Sequence, residues 1–199
     1  MPMKKQAALR RRILWIIVVL SLVLFTTMLI QHDNLRQLDL SANMLFKEAG
    51  LPYYYFFNFI SFLGSRYWIP LVFLVFVALL WKQKKRREAI ILAVAVVSNY
   101  IVVNIIKFLT NWSRPEEVQR AIAGTFPSAH AATPFVLYIL AYLFLVKKHK
   151  VLPFVSLVVL VLLIGVSRMV VNAHWLTDVL AGELLAIAWI SGALLFYKK

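Results

Sequence analysis

Six stretches of this chain are nearly unbroken in apolar residues, and polar clusters separate them. They run over residues 13–30, 68–81, 89–106, 131–146, 151–166 and 175–197. Apolar runs of this length, recurring along a whole chain, predict membrane-crossing helices. Several fall short of the roughly 20 residues a helix needs to cross a hydrocarbon core. Each is therefore expected to extend about a turn into its polar flanks, with Lys and Arg side chains snorkelling outward. Between the first two stretches, Leu35, Leu38, Ala42 and Leu45 recur at helical spacing, with Asp33, Arg36, Asp39 and Lys47 among them. This pattern predicts a helix lying in the membrane interface. The aromatic run 53–57 that follows Pro52 suits the headgroup belt, and Gly64-Ser65 breaks the chain before the second span. The expected fold class is all-α: a polytopic membrane protein, a six-transmembrane-helix bundle with an interfacial helix between spans one and two, forming one domain over residues 1–199.

Composition agrees with the pattern. The 199 residues are 62% hydrophobic, where a soluble domain would be about half apolar. Cysteine is absent, which excludes disulfides, thiolate nucleophiles and thiolate metal sites. The net charge of +14 is spread around the apolar segments rather than gathered on a soluble domain, which favours lipid headgroups over nucleic acid as its partner. Its distribution also predicts topology. Fifteen of the 22 Lys and Arg residues fall in the N-terminus, the loop after span two, the loop after span four and the C-terminus. The other side holds Arg36, Lys47, Arg66, Lys107, Arg114, Arg120 and Arg168. Both termini are thus expected in the cytoplasm of a cell membrane protein. Arg10, Arg11 and Arg12 precede a first span that is long and lacks a small-residue cleavage site, so it reads as an uncleaved anchor.

That topology puts three polar blocks at the opposite, outward face. They are Lys107-x6-Arg114-Pro115, Pro127-Ser128-Ala129-His130 and Ser167-Arg168-x5-His174-x3-Asp178. Spans three and five end there, and spans four and six begin there. The blocks supply three cations, a hydroxyl, two imidazoles and a carboxylate, an inventory suited to phosphoryl transfer. Cations neutralise a phosphate, one imidazole can attack phosphorus, and the other can handle the leaving-group proton.

Each residue also has a plainer reading. Lys107 alone suits a snorkelling anchor. It shares a helical face with Arg114 if the helix continues for two turns until Pro115 stops it. Ser128 suits an N-cap, and a helix N-terminus also binds phosphate. His130 alone suits an interfacial histidine. His174 and Asp178, four apart, are expected on one face of the last helix, where the carboxylate would fix the imidazole tautomer; the alternative is a capping aspartate. A divalent metal is disfavoured by the three nearby cations. Glu183, Asn99 and Asn104 suit polar contacts within the bundle. His32 and His149, on opposite sides, receive no role.

Taken together the blocks resemble the three-part signature of the type 2 phosphatidic acid phosphatase superfamily: Lys-x6-Arg-Pro, Pro-Ser-Gly-His and Ser-Arg-x5-His-x3-Asp. The match covers residues 107 to 178, and the span layout extends it over most of the chain. Ala129 stands where the family has glycine. The resemblance implies a metal-independent membrane phosphatase without a cofactor, acting on a lipid phosphate or pyrophosphate. Undecaprenyl pyrophosphate, phosphatidylglycerol phosphate and phosphatidic acid are the expected substrates. It implies His174 as nucleophile, Asp178 as its orienting group and His130 as acid and then base. Lys107, Arg114, Ser128, Ala129 and Arg168 would hold the phosphoryl oxygens. A phosphotransferase with a polyprenyl pyrophosphate donor, and a non-catalytic lipid-binding protein, are the alternatives. A soluble haloperoxidase relative shares the motif chemistry in outline, but six apolar spans argue against it.

Overall fold

The computed structural model describes residues 3–113, 115, 124–146 and 150–197. Arg114, Arg120, Lys147, Lys148, His149, Lys198 and Lys199 lie outside the described residues. The described residues form eight α-helices and no strand. In chain order these are α1 (Met3–Ile30), α2 (His32–Gly50), α3 (Tyr54–Phe62), α4 (Trp68–Lys82), α5 (Arg86–Thr110), α6 (Ala129–Leu145), α7 (Val151–Val170) and α8 (Leu176–Phe196). A single 3₁₀ turn, Leu51–Tyr53, joins α2 to α3.

Each predicted span coincides with a helix. Four of them are long and apolar enough to cross a membrane: α1 from Ala8, α5, α7 and α8. The helices α4 and α6 are shorter, at 15 and 17 residues. At the usual helical rise they measure about 22 and 25 Å, less than a hydrocarbon core of about 30 Å. The expected extension into polar flanks occurs in α5, which runs from Arg86 to Thr110. It does not occur at the start of α6, where Ser128 has extended backbone and holds the helix start at Ala129.

The helix α6 sits at the centre, in contact with α4, α5, α7 and α8, while α1 packs along α8. Val136, Leu137 and Leu140 of α6 meet Leu80, Leu92 and Val161 in the main core. A second cluster joins Phe25, Val103, Phe126 and Leu185 toward the other end of the bundle. Large apolar side chains outside these clusters, such as Trp15, Ile16, Leu74 and Val94, are exposed, as lipid-facing residues are.

Close helix approach depends on glycines, Gly182 and Gly64 among them. A Cβ on Gly182 of α8 would lie 2.5 Å from the Ser128 carbonyl oxygen, and one on Gly64 would lie 2.5 Å from Ile164. Small residues of this kind let backbones come together where packing, rather than water exclusion, holds helices. Asn99 meets the expectation of an interhelical contact, since its Oδ1 accepts from Thr133 Oγ1 at 3.3 Å. Asn104 does not. Its side chain donates to Tyr100 O within α5. Glu183 is half-buried against α7, where its Oε1 occupies the space beside Gly165.

Candidate active site

Four helix ends converge at one end of the bundle: the C-termini of α5 and α7 and the N-termini of α6 and α8. Their junctions are fixed locally. The helix α5 stops because Asn111 takes a left-handed conformation, φ 45°, and returns its N–H to the Lys107 carbonyl. The chain between α7 and α8 turns at Asn172, φ 53°. There the Arg168 carbonyl accepts from both Ala173 N–H, at 2.8 Å, and His174 N–H, at 3.2 Å. The spacing between Arg168 and His174 is thus the length of one closed turn. Between α6 and α8, Ser128 N–H donates to the Asp178 carbonyl at 2.8 Å.

His174 precedes the helix. The first residue of α8 is Leu176, with Trp175 as its cap and Asp178 in the first turn. The two residues therefore do not share a helical face as expected. They meet because the Asp178 carboxylate folds back, with Oδ2 accepting from Trp175 N–H at 2.9 Å. The same oxygen stands 3.2 Å from His174 Nδ1. One oxygen thus makes both the capping bond to Trp175 N–H and the contact to His174. A proton on Nδ1 directed at this carboxylate would leave the lone pair on Nε2.

Thr125, which the sequence did not single out, completes the cluster. Its side chain is buried, lies 3.0 Å from His174 Nδ1 and donates to Asp178 Oδ2. Its carbonyl accepts from Lys107 Nζ at 2.7 Å, and the Gly124 carbonyl does so at 3.2 Å. Thr125 thus bridges α5 to the histidine. Lys107 is buried, with 5% of its surface exposed, and points inward instead of snorkelling as an anchor. No local pattern in the sequence marks Thr125, because its partners are 49 and 53 positions away.

The remaining residues occupy the same end. Ser128 caps α6 by position, but its hydroxyl makes no capping bond and, though fully buried, has no hydrogen-bond partner among the described residues. Ala129 and His130 form the first turn of α6, where backbone N–H groups lack partners within the helix. Pro134 follows one turn later and has no N–H to give the His130 carbonyl. Arg168 is half-buried, and its guanidinium donates to Ser61 of α3. Arg114, expected to share a helical face with Lys107, lies outside the described residues.

Aromatic rings back the cluster. Phe126 stacks with Phe25 of α1 at 5.5 Å and packs on Trp112 at 4.7 Å. His32, expected to play no part, stacks on Trp112 at 3.5 Å. A groove of about 330 Å³ opens beside His130, lined by Arg66, Ile69, Pro70, Phe73, Val97 and Tyr100 among others.

A helical membrane protein with a buried His–Asp–Thr cluster and cationic side chains at one end of its bundle is the class these features define. The chain belongs to the PAP2 superfamily, whose sequence profile matches residues 88–199. Two crystal structures share the fold. One is described as the first transmembrane PAP2 type phosphatidylglycerolphosphate phosphatase from Bacillus subtilis. It is 21% identical, with a TM-score of 0.73 over 91% of this chain and 94% of the other. The second is Aquifex aeolicus LpxE, 23% identical, with a TM-score of 0.64 over 79% of this chain and 94% of the other. No curated protein matches the sequence.

Proposed function

We propose that this chain is an integral membrane lipid phosphatase that works through a phosphohistidine. The observation that carries the reading is the orientation of His174: Nδ1 faces Asp178 and Thr125, which leaves Nε2 as the nucleophilic nitrogen. The transfer runs in two halves. In the first, Nε2 forms a bond to phosphorus as the bond to the lipid oxygen breaks, and His130 donates a proton to that oxygen. In the second, His130 removes a proton from water, which attacks phosphorus and releases phosphate and free His174.

Lys107, Arg114, Arg168, the Ser128 hydroxyl and the Ala129 amide hold the phosphoryl oxygens, where negative charge concentrates. Lys107 Nζ is held at the cluster by the Gly124 and Thr125 carbonyls, and its positive charge acts on a phosphate as a point charge. The groove beside His130 is apolar and suits the hydrocarbon chain attached to the leaving oxygen. The one domain crosses the membrane six times, with both termini cytoplasmic and the site facing outward. The short α4 and α6 are accommodated by local thinning and snorkelling.

The deciding experiment is phosphate release by purified protein in detergent with EDTA present. The panel holds undecaprenyl pyrophosphate, phosphatidylglycerol phosphate and phosphatidic acid, with His174→Ala as blank. Release from one lipid and none from the blank is the expected result. Release by the His174→Ala protein would refute the mechanism, and silence of the folded wild type on every lipid would refute the activity.

A further inference from the structure

The helix α2 is amphipathic in an unexpected sense. Leu38, Met44 and Leu45 are exposed, while the polar residues Asp39 and Asn43 are buried. Both point at the segment that carries His174. Asp39, 2% exposed, accepts from Thr177 N–H at 2.8 Å and from the Thr177 hydroxyl at 2.7 Å. Thr177 lies in the first turn of α8, so its amide is one that the helix cannot satisfy itself. A carboxylate from another helix thus caps α8 and meets the positive end of its dipole. One turn further along α2, Asn43 Nδ2 donates to the His174 carbonyl at 3.3 Å and stands 3.4 Å from Asn172 Oδ1. Gly50 seats the end of α2 against Val170, where any Cβ would clash with the valine methyls.

We propose that Asp39 and Asn43 are positioning residues that fix the backbone of His174 and the start of α8, and so set the line of attack on phosphorus. His174 is held on both sides of its backbone. Its N–H is bound by the Arg168 carbonyl of α7, and its carbonyl is bound by Asn43 of α2. The residue that orients its ring, Asp178, belongs to the helix turn that Asp39 caps. The α2 side thus adds a second hold on the backbone of the nucleophile to the one the α7 turn supplies. These two residues lie outside the stretch 88–199 matched by the family profile, so the geometry of the site depends on chain that the signature does not include. The proposal rests on His174 being the nucleophile.

The test compares Asp39→Ala, Asp39→Asn and Asn43→Asp with wild type and His174→Ala in detergent. It measures kcat and KM on the best lipid of the panel, and affinity for orthovanadate, which copies the five-coordinate phosphorus. The amide of Asp39→Asn can still accept from Thr177 N–H. Asn43→Asp keeps the volume but sets a carboxylate against the His174 carbonyl. Displacing a reacting group by about 1 Å costs on the order of 100-fold. Asp39→Ala and Asn43→Asp are therefore expected to lose roughly 10- to 100-fold in kcat and in vanadate affinity. KM should stay within about threefold, and Asp39→Asn should recover most of kcat. Equal kcat in all three variants and wild type, beside an inactive His174→Ala, would overturn the proposal alone. A loss confined to KM, or an Asp39→Asn as impaired as Asp39→Ala, would overturn it too. Activity in His174→Ala would overturn both this proposal and the mechanism beneath it.

Discussion

Thr125 Oγ1 lies 3.0 Å from His174 Nδ1 and donates its proton to Asp178 Oδ2. The hydroxyl therefore ties together an imidazole and a carboxylate that are already 3.2 Å apart. Replacing it with a methyl group of nearly the same volume removes the donor and leaves the packing. Thr125→Val is expected to lower kcat by roughly 10- to 100-fold through a misplaced imidazole. It should also cost about 1–3 kcal/mol of stability, because a buried carboxylate loses a donor. Thr125→Ser keeps the hydroxyl and should stay close to wild type. Steady-state kinetics with thermal unfolding in detergent checks both, and a fully active Thr125→Val would show that Asp178 alone orients the ring.

The approach of α6 to α8 depends on the missing side chain of Gly182. An added Cβ would lie 2.5 Å from the Ser128 carbonyl oxygen and 3.1 Å from the Ala131 side chain. Backbone gives way poorly, so Gly182→Ala is expected to push α6 outward. That would break the bond from Ser128 N–H to the Asp178 carbonyl. Overpacking of this kind costs about 1–3 kcal/mol. Activity should fall further than stability, since Ser128 and His130 move together. An Ala variant with unchanged thermal midpoint and kcat would contradict this.

Much of this layout was legible in the chain. Apolar runs marked the four helices long and apolar enough to cross a membrane, because a membrane span must satisfy its backbone internally and has few alternatives. The described residues of the three polar blocks also came together, since the helix ends that carry them meet at one end of the bundle. What was missed depends on long-range contact. Thr125 looks like an ordinary loop residue until its partners 49 and 53 positions away are in place. Asp39 reads as part of the polar face of an interfacial helix and Asn43 was not singled out, because periodicity separates faces without saying which one is buried. The helix expected to carry both His174 and Asp178 begins two residues after the histidine. Spacing of four fits a helical turn, and it fits equally a residue before the cap reached by a carboxylate inside the first turn.

Ala129, in place of the family's glycine, offers a separate test. It is the first residue of α6, half-buried against the cluster of Phe25 and Phe126, and it lines the groove beside His130. Its backbone is helical, so the methyl group is not strained there. Ala129→Gly is expected to lose about 0.5–1 kcal/mol, as glycine does in a helix relative to alanine, while kcat holds or rises. Thermal unfolding and kinetics on the same preparation would show it. A kcat reduced more than tenfold would mean that the methyl contacts the substrate.

Asp39 makes stability depend on pH. Burial raises its carboxyl above the ordinary value of 3.8, and the nearby Asp178 adds to the rise. The hydrogen bonds from the Thr177 side chain and backbone, and the charge of His32, pull the other way without cancelling it. The folded protein therefore binds the Asp39 proton more tightly than the unfolded chain does. The stability this contributes is complete below 3.8 and is lost as pH rises through the higher folded value. Asp39→Asn stays neutral and keeps an acceptor for Thr177 N–H, so it lacks this loss. The difference in thermal midpoint between Asp39→Asn and wild type is expected to move in favour of the variant as pH rises from 3.8, and to level off once the wild-type carboxyl is ionised. Unfolding curves of both proteins in one detergent across that range would show it. A difference constant with pH would mean that Asp39 ionises alike in the folded and unfolded states, and that Thr177 offsets the cost of its burial.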